Sequence, residues 1–264
     1  MKRYPIGIQD VEKLREGGYL YVDKTQQMYA LLSSGKYFFL SRPRRFGKSL
    51  MLSTLKYFFQ GRRDLFEGLW VDREAEHDWA EHPVLHVSFS TLGYKDLGLE
   101  AALHQSLDLK AQQVGLTLTR KGLGQRFEEL LQALGSGPRK VVLLIDEYDK
   151  PLVDYLDDLP QAQANREALK NFFSAIKDAD SSLRFFLITG VSKFSKVSLF
   201  SGLNHLNALT TMGRFATLTG YTPEELDHYF GEECPALAEA NGKDVPQIKA
   251  DIQRWYNGYQ WAVG

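Results

Sequence analysis

The sequence predicts an α/β fold in which helices cover both faces of a central, mainly parallel sheet. Short apolar runs alternate along the chain with longer segments whose apolar residues recur every three or four positions. Such alternation is typical of parallel strands that are joined by crossover helices. The 264 residues are 44% hydrophobic and 25% charged, with a net charge of −1, which suits one large or two modest globular domains. This charge balance neither predicts nor excludes a nucleic-acid partner.

The first strand is predicted at residues 37–40, directly before a loop and a helix. The loop reads Arg-Pro-Arg-Arg-Phe-Gly-Lys-Ser over residues 42–49, and a helix-like stretch follows at 50–59. A strand, a tight loop ending in Gly-Lys-Ser and a helix cradle nucleotide phosphates with backbone N–H groups, while Lys48 reaches the β and γ oxygens and Ser49 ligates Mg²⁺. The residues expected to contact the nucleotide are Arg42, Pro43, Arg44, Arg45, Phe46, Gly47, Lys48, Ser49 and Leu50.

One position of this loop is irregular, because the usual pattern has a glycine where this chain has Arg42. Glycine is the residue that adopts a positive φ most freely, so the substitution weakens the match without removing Gly47 or Lys48. The basic cluster of Arg42, Arg44 and Arg45 is better explained by the neighbouring phosphates than by DNA, although it can also reach a phosphodiester.

Two acids follow a second buried strand, which is predicted at residues 141–145. The run Val-Val-Leu-Leu-Ile suits a central parallel strand, and Asp146 and Glu147 at its carboxyl end lie where such sheets bind ligands. We expect Asp146 to hold Mg²⁺ and Glu147 to polarise the attacking water. With this base built in, hydrolysis to ADP and phosphate is favoured over transfer to a small acceptor. The alternative for either acid alone is a solvated charge at a strand end.

Five further elements complete the predicted layers. Residues 83–90 form a strand that is followed by helices at 99–113 and 121–134, the second with a single apolar face. Residues 163–177 form an amphipathic helix, and 183–190 form another central strand.

Thr189 ends the last predicted strand. In phosphate-loop ATPases that place a further strand between the loop strand and the acidic strand, a polar residue at this position senses the γ-phosphate. Thr189 is therefore the best candidate, with Ser192 and Lys193 as neighbours. The alternative is a Thr-Gly turn that simply ends the strand.

The segment before the first strand has two interpretations. Tyr21, Asp23 and Lys24 are candidates for contacts with the base, since the equivalent stretch of related ATPases passes the adenine and ribose. Alternatively, Asp23 or Thr25 caps a helix that begins at the following residues.

The last part of the chain changes character and is predicted to be helical. Thr222 with a proline after it and Glu225 three residues on is a capping box, and short helices separated by turns follow. We therefore divide the chain into an ATPase core at 1–218 and a helical lid over the nucleotide at 219–264. Arg214, just before the lid, is either a phosphate-sensing arginine or a solvated loop residue.

Cysteine content and hydropathy bear on the compartment. The single cysteine, Cys234, excludes a disulfide within the chain. The first residues lack the apolar core of a signal peptide, and no run approaches the ~18 apolar residues that span a membrane. We expect a cytoplasmic protein with no membrane contact.

Three segments, at residues 18–25, 41–50 and 188–196, resemble the predicted AAA-ATPase-like family of bacteria and archaea, and residues 255–259 resemble a later motif of that family. The likeness covers nearly the whole chain, and the phosphate loop is its most specific part. In that family an arginine at position 42 is the ordinary form, which accounts for the irregular loop.

The resemblance implies an ATPase core of the class with the additional strand and the catalytic glutamate (ASCE), with ATP and Mg²⁺ bound and with Lys48, Ser49, Asp146 and Glu147 in their usual roles. Family members often carry a nuclease-like domain of the PD-(D/E)xK type after the ATPase, which gives a route to nucleic acid. This chain ends at Gly264, before such a domain, so we expect the lid to be incomplete.

Two function classes remain open. In the first, the protein is an ATPase that drives rearrangement of an attached effector or an unknown protein partner. In the second, it is a nucleotide-gated interaction module whose hydrolysis of ATP is negligible. Glu147 favours the first, whereas the lack of an assured arginine finger favours the second, or a homo-oligomer that supplies one. The acidic loop is expected to be a solvated connection, with a partner surface as the alternative. Its acids are Asp149, Asp154, Asp157 and Asp158.

Overall fold

The computed structural model describes residues 3–191 and 206–256, and the predicted α/β fold is confirmed within them. The sheet has five parallel strands in the order β2-β3-β4-β1-β5. The strands are β1 Tyr37–Ser41, β2 Val84–Ser88, β3 Val141–Asp146, β4 Leu183–Gly190 and β5 Asn207–Ala208.

Helices surround this sheet, and the four whose bounds were predicted, at 50–59, 99–113, 121–134 and 163–177, begin and end within a few residues of those bounds. The helices are α1 Val11–Glu16, α2 Thr25–Leu32, α3 Lys48–Phe59, α4 Trp70–Glu74, α5 Tyr94–Leu97, α6 Leu99–Gln113, α7 Leu123–Leu134, α8 Lys150–Val153, α9 Leu159–Asp178, α10 Pro223–Phe230, α11 Cys234–Ala240 and α12 Val245–Tyr256. α9 starts earlier than predicted, because the Asp158 side chain accepts from the Gln161 N–H and a proline occupies the first turn.

The strand order determines which strands place their carboxyl ends next to one another. β4 lies between β1 and β3, with Leu40 opposite Thr189 on one side and Ile145 opposite Ile188 on the other. This is the inserted strand that the sequence predicted. Because all the pairs are parallel, the loop after β1 and the acids after β3 lie at the same edge of the sheet, one strand apart.

Two hydrophobic clusters hold the layers together. On one face of the sheet, α6, α7 and α9 pack through large aromatic side chains, including Phe127 and Phe172, whose rings stack at a centroid distance of 4.1 Å and an angle of 7°. On the other face, α3 and the helices before it cover Phe38 and Phe185. Each fully buried aromatic side chain contributes about 1.5–3 kcal/mol of transfer free energy.

The predicted capping box opens α10. The Thr222 side chain accepts from the Glu225 N–H, and the Glu225 carboxylate accepts from the Thr222 N–H. The same carboxylate also pairs with the Lys24 ammonium at 2.5 Å, and the Tyr229 hydroxyl accepts from the Asp23 N–H at 3.1 Å. α10 therefore packs on the segment that precedes α2.

None of the helices in residues 3–191 and 206–256 combines the length and the apolar character that crossing a bilayer requires.

We predict that Phe172→Ala destabilises the fold by about 3–5 kcal/mol, because a stacked and fully buried ring leaves a cavity. Urea unfolding measures the change. Leu109→Ala on α6, where the leucine is 55% exposed, is the control and should change stability by no more than about 0.5 kcal/mol. Equal effects of the two changes would contradict this account of the core.

Candidate nucleotide-binding site

The loop between β1 and α3 has the backbone shape of an anion cradle. Gly47 immediately precedes α3 with φ 79°, in the left-handed region, and Arg45 has φ 67°. Within the described part of the chain, no side chain caps α3, so the N–H groups of its first turn face the loop. Unpaired donors together with the positive end of the helix dipole favour a bound anion.

Lys48 is buried within this cradle and its ammonium is held by the loop backbone. Its Nζ donates to the carbonyl oxygens of Arg42 and Pro43, each at 2.9 Å. Burial lowers the pKa of Lys48, whereas the nearby acids Asp146 and Glu147 act in the opposite direction. A positive group thus faces the acids across β4, and it can exchange carbonyl partners for phosphate oxygens.

Asp146 ends β3 and is buried beside Thr189. The Thr189 hydroxyl donates to Oδ1 of Asp146 at 2.5 Å, and its oxygen accepts from the Glu147 N–H at 3.4 Å. Thr189 is fully buried and its hydroxyl holds both acids, while its contact with a γ-phosphate stays a prediction. Ser192 and Lys193 lie outside the described residues.

Glu147 adopts a backbone conformation that is uncommon for a residue with a side chain. Its φ is 54°, and the strain of such a conformation is of order 1–3 kcal/mol. The turn is held by the Tyr148 N–H, which donates to the Thr189 carbonyl at 3.1 Å, and by the Lys150 N–H, which donates to the Glu147 carbonyl at 3.0 Å. Burial and the neighbouring Asp146 raise the pKa of Glu147, which suits a general base.

Two residues that the sequence analysis did not assign to the site brace this turn. Asp149 is buried, and its carboxylate accepts from the Val191 N–H at 3.0 Å. Gly190 leaves room for it, since a Cβ there would lie 2.6 Å from the Tyr148 ring and 2.9 Å from the Asp149 carboxylate. Asp149 is therefore not the solvated acid that we expected. Nor is Asp154, which accepts from the Tyr94 hydroxyl at 2.7 Å.

Arg42 binds to the protein's own backbone. Its N–H donates to the Gly190 carbonyl at 3.2 Å, and its guanidinium donates to the carbonyls of Ser41 at 3.3 Å and Ala216 at 3.2 Å. Burial lowers the pKa of this guanidinium. The side chain that replaces the usual glycine thus ties the loop to the segment after β5, and its contact with phosphate stays a prediction.

The other loop residues remain accessible. Arg44 and Arg45 are exposed, and the charge of Arg44 acts on both Lys48 and Glu147. The partly buried members of the loop and first helical turn are Pro43, Phe46, Ser49 and Leu50. Arg214 is also exposed, with its guanidinium 4.7 Å from the centre of its neighbour's ring.

Asp23 and Lys24 have partners inside the protein, and their contact with a base stays a prediction. One Asp23 oxygen accepts from the Thr25 N–H at 2.8 Å, and the other accepts from the Trp70 N–H at 2.7 Å. Asp23 thus binds the N–H of the first residue of α2, whereas the N-cap position itself is occupied by Lys24. Lys24 is bound to Glu225, while Tyr21 is buried.

The residues present fit a nucleotide with Mg²⁺. No group of three or more His, Cys, Asp or Glu side chains able to hold an ion occurs in residues 3–191 and 206–256. Mg²⁺ does not need such a group, because it commonly takes one or two protein oxygens together with phosphate oxygens and water. The Ser49 hydroxyl at the start of α3 and the Asp146 carboxylate are the oxygens available here.

The strand-loop-helix cradle, the inserted β4 and the acids after β3 together define a P-loop ATPase-like domain. The comparison with protein families agrees with this class. The chain belongs to the family described as predicted AAA-ATPase, whose profile matches residues 5–200.

A curated relative and a solved structure are also similar to the chain. The "Uncharacterized protein in vnfD 5'region" of Azotobacter chroococcum mcd 1 is 46% identical over 265 residues, which covers 98% of this chain and 49% of that protein. The chain thus spans about half the length of this relative. The Aeropyrum pernix ORC1 protein, solved in complex with DNA, aligns over 91% of this chain and 62% of that chain at 14% identity, with a TM-score of 0.42. So remote a likeness has no bearing on function.

We predict that Thr189→Val destabilises the protein by about 1–3 kcal/mol, because the shape is kept while buried Asp146 loses its hydroxyl partner. Thr189→Ser keeps the hydroxyl and should cost only about 0.8 kcal/mol for the lost methyl group. Urea unfolding of both variants measures the two losses in free energy of unfolding, and the loss for valine should be the larger. A larger loss for serine than for valine would contradict the role given to this hydrogen bond.

Proposed function

We propose that the chain is a Mg²⁺-dependent ATPase domain that binds ATP and hydrolyses it to ADP and phosphate. The observation that carries this proposal is the position of buried Lys48 opposite Asp146 and Glu147, separated by the single strand β4. A binding site for phosphate alone does not need a base. Here a carboxylate with a raised pKa stands at the same edge of the sheet as the phosphate cradle.

The proposed reaction assigns each group one task. Lys48 and the N–H groups of α3 hold the phosphate oxygens, and Glu147 takes a proton from water as the water oxygen attacks the γ-phosphorus. The bond from that phosphorus to the β–γ bridging oxygen breaks, and the bridging oxygen leaves with ADP. Ser49 and Asp146 would hold Mg²⁺, which neutralises charge on the phosphate oxygens. Thr189 positions both acids through its hydroxyl.

The proposed output is a rearrangement of the helical segment. We assign 1–218 to the ATPase core and 219–264 to a lid, which contacts the core through Glu225 and Tyr229 at the segment just before α2. Asp23 in that segment also accepts from the Trp70 N–H. A movement of the lid can therefore reach the rest of the core, and a movement of the core can reach the lid. The effector is a covalently attached domain or a partner protein, since the relative is about twice as long as this chain.

A second candidate is a nucleotide-gated module with negligible turnover. Arg214 favours it, because this arginine lies over Phe215 and is exposed, so it is not positioned as a phosphate-sensing group. An ATPase of this kind then needs an arginine from another copy or partner before it turns over quickly. Binding and turnover must therefore be measured separately.

We predict that Lys48→Ala binds Mg-ATP at least roughly 100-fold more weakly, because two charge-assisted hydrogen bonds of about 1.5–3 kcal/mol each are lost. Calorimetric titration measures this, with Lys170→Ala, an exposed lysine on α9, as the control. Unchanged affinity in Lys48→Ala would contradict the proposed site.

Glu147→Gln should keep Mg-ATP binding within a few-fold but lower phosphate release roughly 100–10,000-fold, since the proton acceptor is gone. Phosphate release is measured on the calorimetry samples. Comparable rates in wild type and Glu147→Gln would remove the base assignment, and binding without measurable turnover in wild type would favour the module.

The turnover rate should fall as the pH is lowered, and this fall should begin at a higher pH than for a base with the ordinary pKa of glutamate. Because the pKa of Glu147 is raised by burial and by Asp146, its carboxyl takes up a proton at a higher pH, and the base is lost there. A pH–rate profile at saturating Mg-ATP measures the acid limb. A profile that stays flat into the ordinary glutamate range would contradict the assignment.

A further inference from the structure

An open cleft of about 230 Å³ lies at the edge of the sheet opposite the nucleotide site. Its walls include His82, Arg139 and Arg184, which stand just before β2, just before β3 and at the second position of β4. The amino ends of parallel strands meet at one edge, whereas the phosphate loop and the acids follow the carboxyl ends. The two sites are therefore separated by the length of a five-residue strand, roughly 16 Å.

Aromatic packing fixes one wall of this cleft. The His77 ring stacks on Phe58, the penultimate residue of α3, at a centroid distance of 4.4 Å and an angle of 22°, and it meets the Trp79 ring at 5.5 Å. Trp79 itself has φ 50°, a left-handed conformation whose cost is of order 1–3 kcal/mol. The His77 imidazole is thus held in place between rings, and the backbone beside it is strained.

The cleft carries an excess of positive charge. Arg139 and Arg184 contribute guanidinium groups against the single carboxylate of Asp78. The Arg139–Asp78 pair is long, at 3.4 Å, and both side chains are at least half exposed, so little free energy holds it. For Arg184, no ion pair is formed with any residue in the described ranges.

His77 and His82 both line the cleft, and charges of both signs act on His77. Burial lowers the pKa of His77, the Asp78 carboxylate opposes this, and the charges of His82 and Arg184 act in the same direction as burial. His82 is oriented by the contact of its Nδ1 with the Lys140 carbonyl oxygen at 2.9 Å. The two ring nitrogens of His82 therefore have different surroundings, because only Nδ1 contacts this carbonyl oxygen.

The end of α3 reaches this edge of the sheet, where Phe58 and Phe59 line the cleft. The carboxyl end of a helix is negative because its last carbonyls lack partners. At the end of α3, however, the Phe59 carbonyl accepts from the His82 N–H at 2.7 Å, and the Phe58 carbonyl accepts from the Gly61 N–H at 3.1 Å. Pairing of these carbonyls weakens the repulsion that the end of α3 exerts on an anion, which leaves Asp78 as the carboxylate that opposes binding in the cleft.

We propose that this cleft binds a small phosphate-type oxyanion, such as inorganic phosphate or a small phosphate monoester. Guanidinium groups bind tetrahedral oxyanions through paired N–H donors, and Arg139 can leave its weak pair with Asp78 to do so. The volume of about 230 Å³ accommodates a phosphate with a small substituent. The site is independent of the nucleotide site and of the proposed function.

The test is a titration of the full chain with inorganic phosphate at constant ionic strength and pH, followed through histidine ring signals in ¹H–¹³C NMR spectra. Single His77→Gln and His82→Gln variants assign the two rings among the six histidines. We expect saturable shifts of both signals. The double variant Arg139→Gln/Arg184→Gln should raise the dissociation constant roughly 100-fold, about tenfold for each guanidinium lost.

The matched control is Arg254→Gln, which removes an exposed arginine on α12 and should leave the dissociation constant within twofold. Circular dichroism of each variant confirms that the fold is kept. Shifts that rise linearly without saturation would overturn the proposal. So would an unchanged dissociation constant in Arg139→Gln/Arg184→Gln, as expected if phosphate binds at residues 42–49 instead.

Discussion

The arrangement of the site depends on the placement of β4 between β1 and β3. This single strand separates the phosphate loop from the acids and supplies Thr189, whose hydroxyl bonds to Asp146 and to the Glu147 N–H. Without an intervening strand, Lys48 and the acids would stand one strand closer and leave less room for phosphates. The spacing of parallel strands, about 4.8 Å, thus sets the scale of the site.

Two of the three non-glycine residues with positive φ in the described ranges lie where the chemistry is expected, and the third, Trp79, lies at the opposite cleft. Arg45 and Glu147 both have positive φ, and Asp149 and the close approach allowed by Gly190 hold the second of these turns. α3 and β4 continue from this edge to the other one, where Phe58 and Arg184 line the opposite cleft. The same two elements therefore carry both the nucleotide site and the proposed anion site.

The sequence predicted the elements whose signals are local. The bounds of α6 and β4 match the predicted ones, and the loop and both acids lie together as expected, because motif and periodicity are encoded in neighbouring residues. Contacts between distant residues were not predictable. The Lys24–Glu225 pair joins residues 201 positions apart, and neither residue's neighbourhood shows it. The burial of Asp149 likewise follows from the tertiary position of Gly190, which gives no pattern in the sequence.

The measurement that tests the central claim most directly is a crystal structure of Glu147→Gln grown with Mg-ATP. The account predicts that the Lys48 ammonium leaves the Arg42 and Pro43 carbonyls for phosphate oxygens, with the metal near Ser49 and Asp146. It also predicts that the bond from Thr189 to Asp146 is retained. A nucleotide bound elsewhere on the chain, with Lys48 still on the two carbonyls, would contradict it.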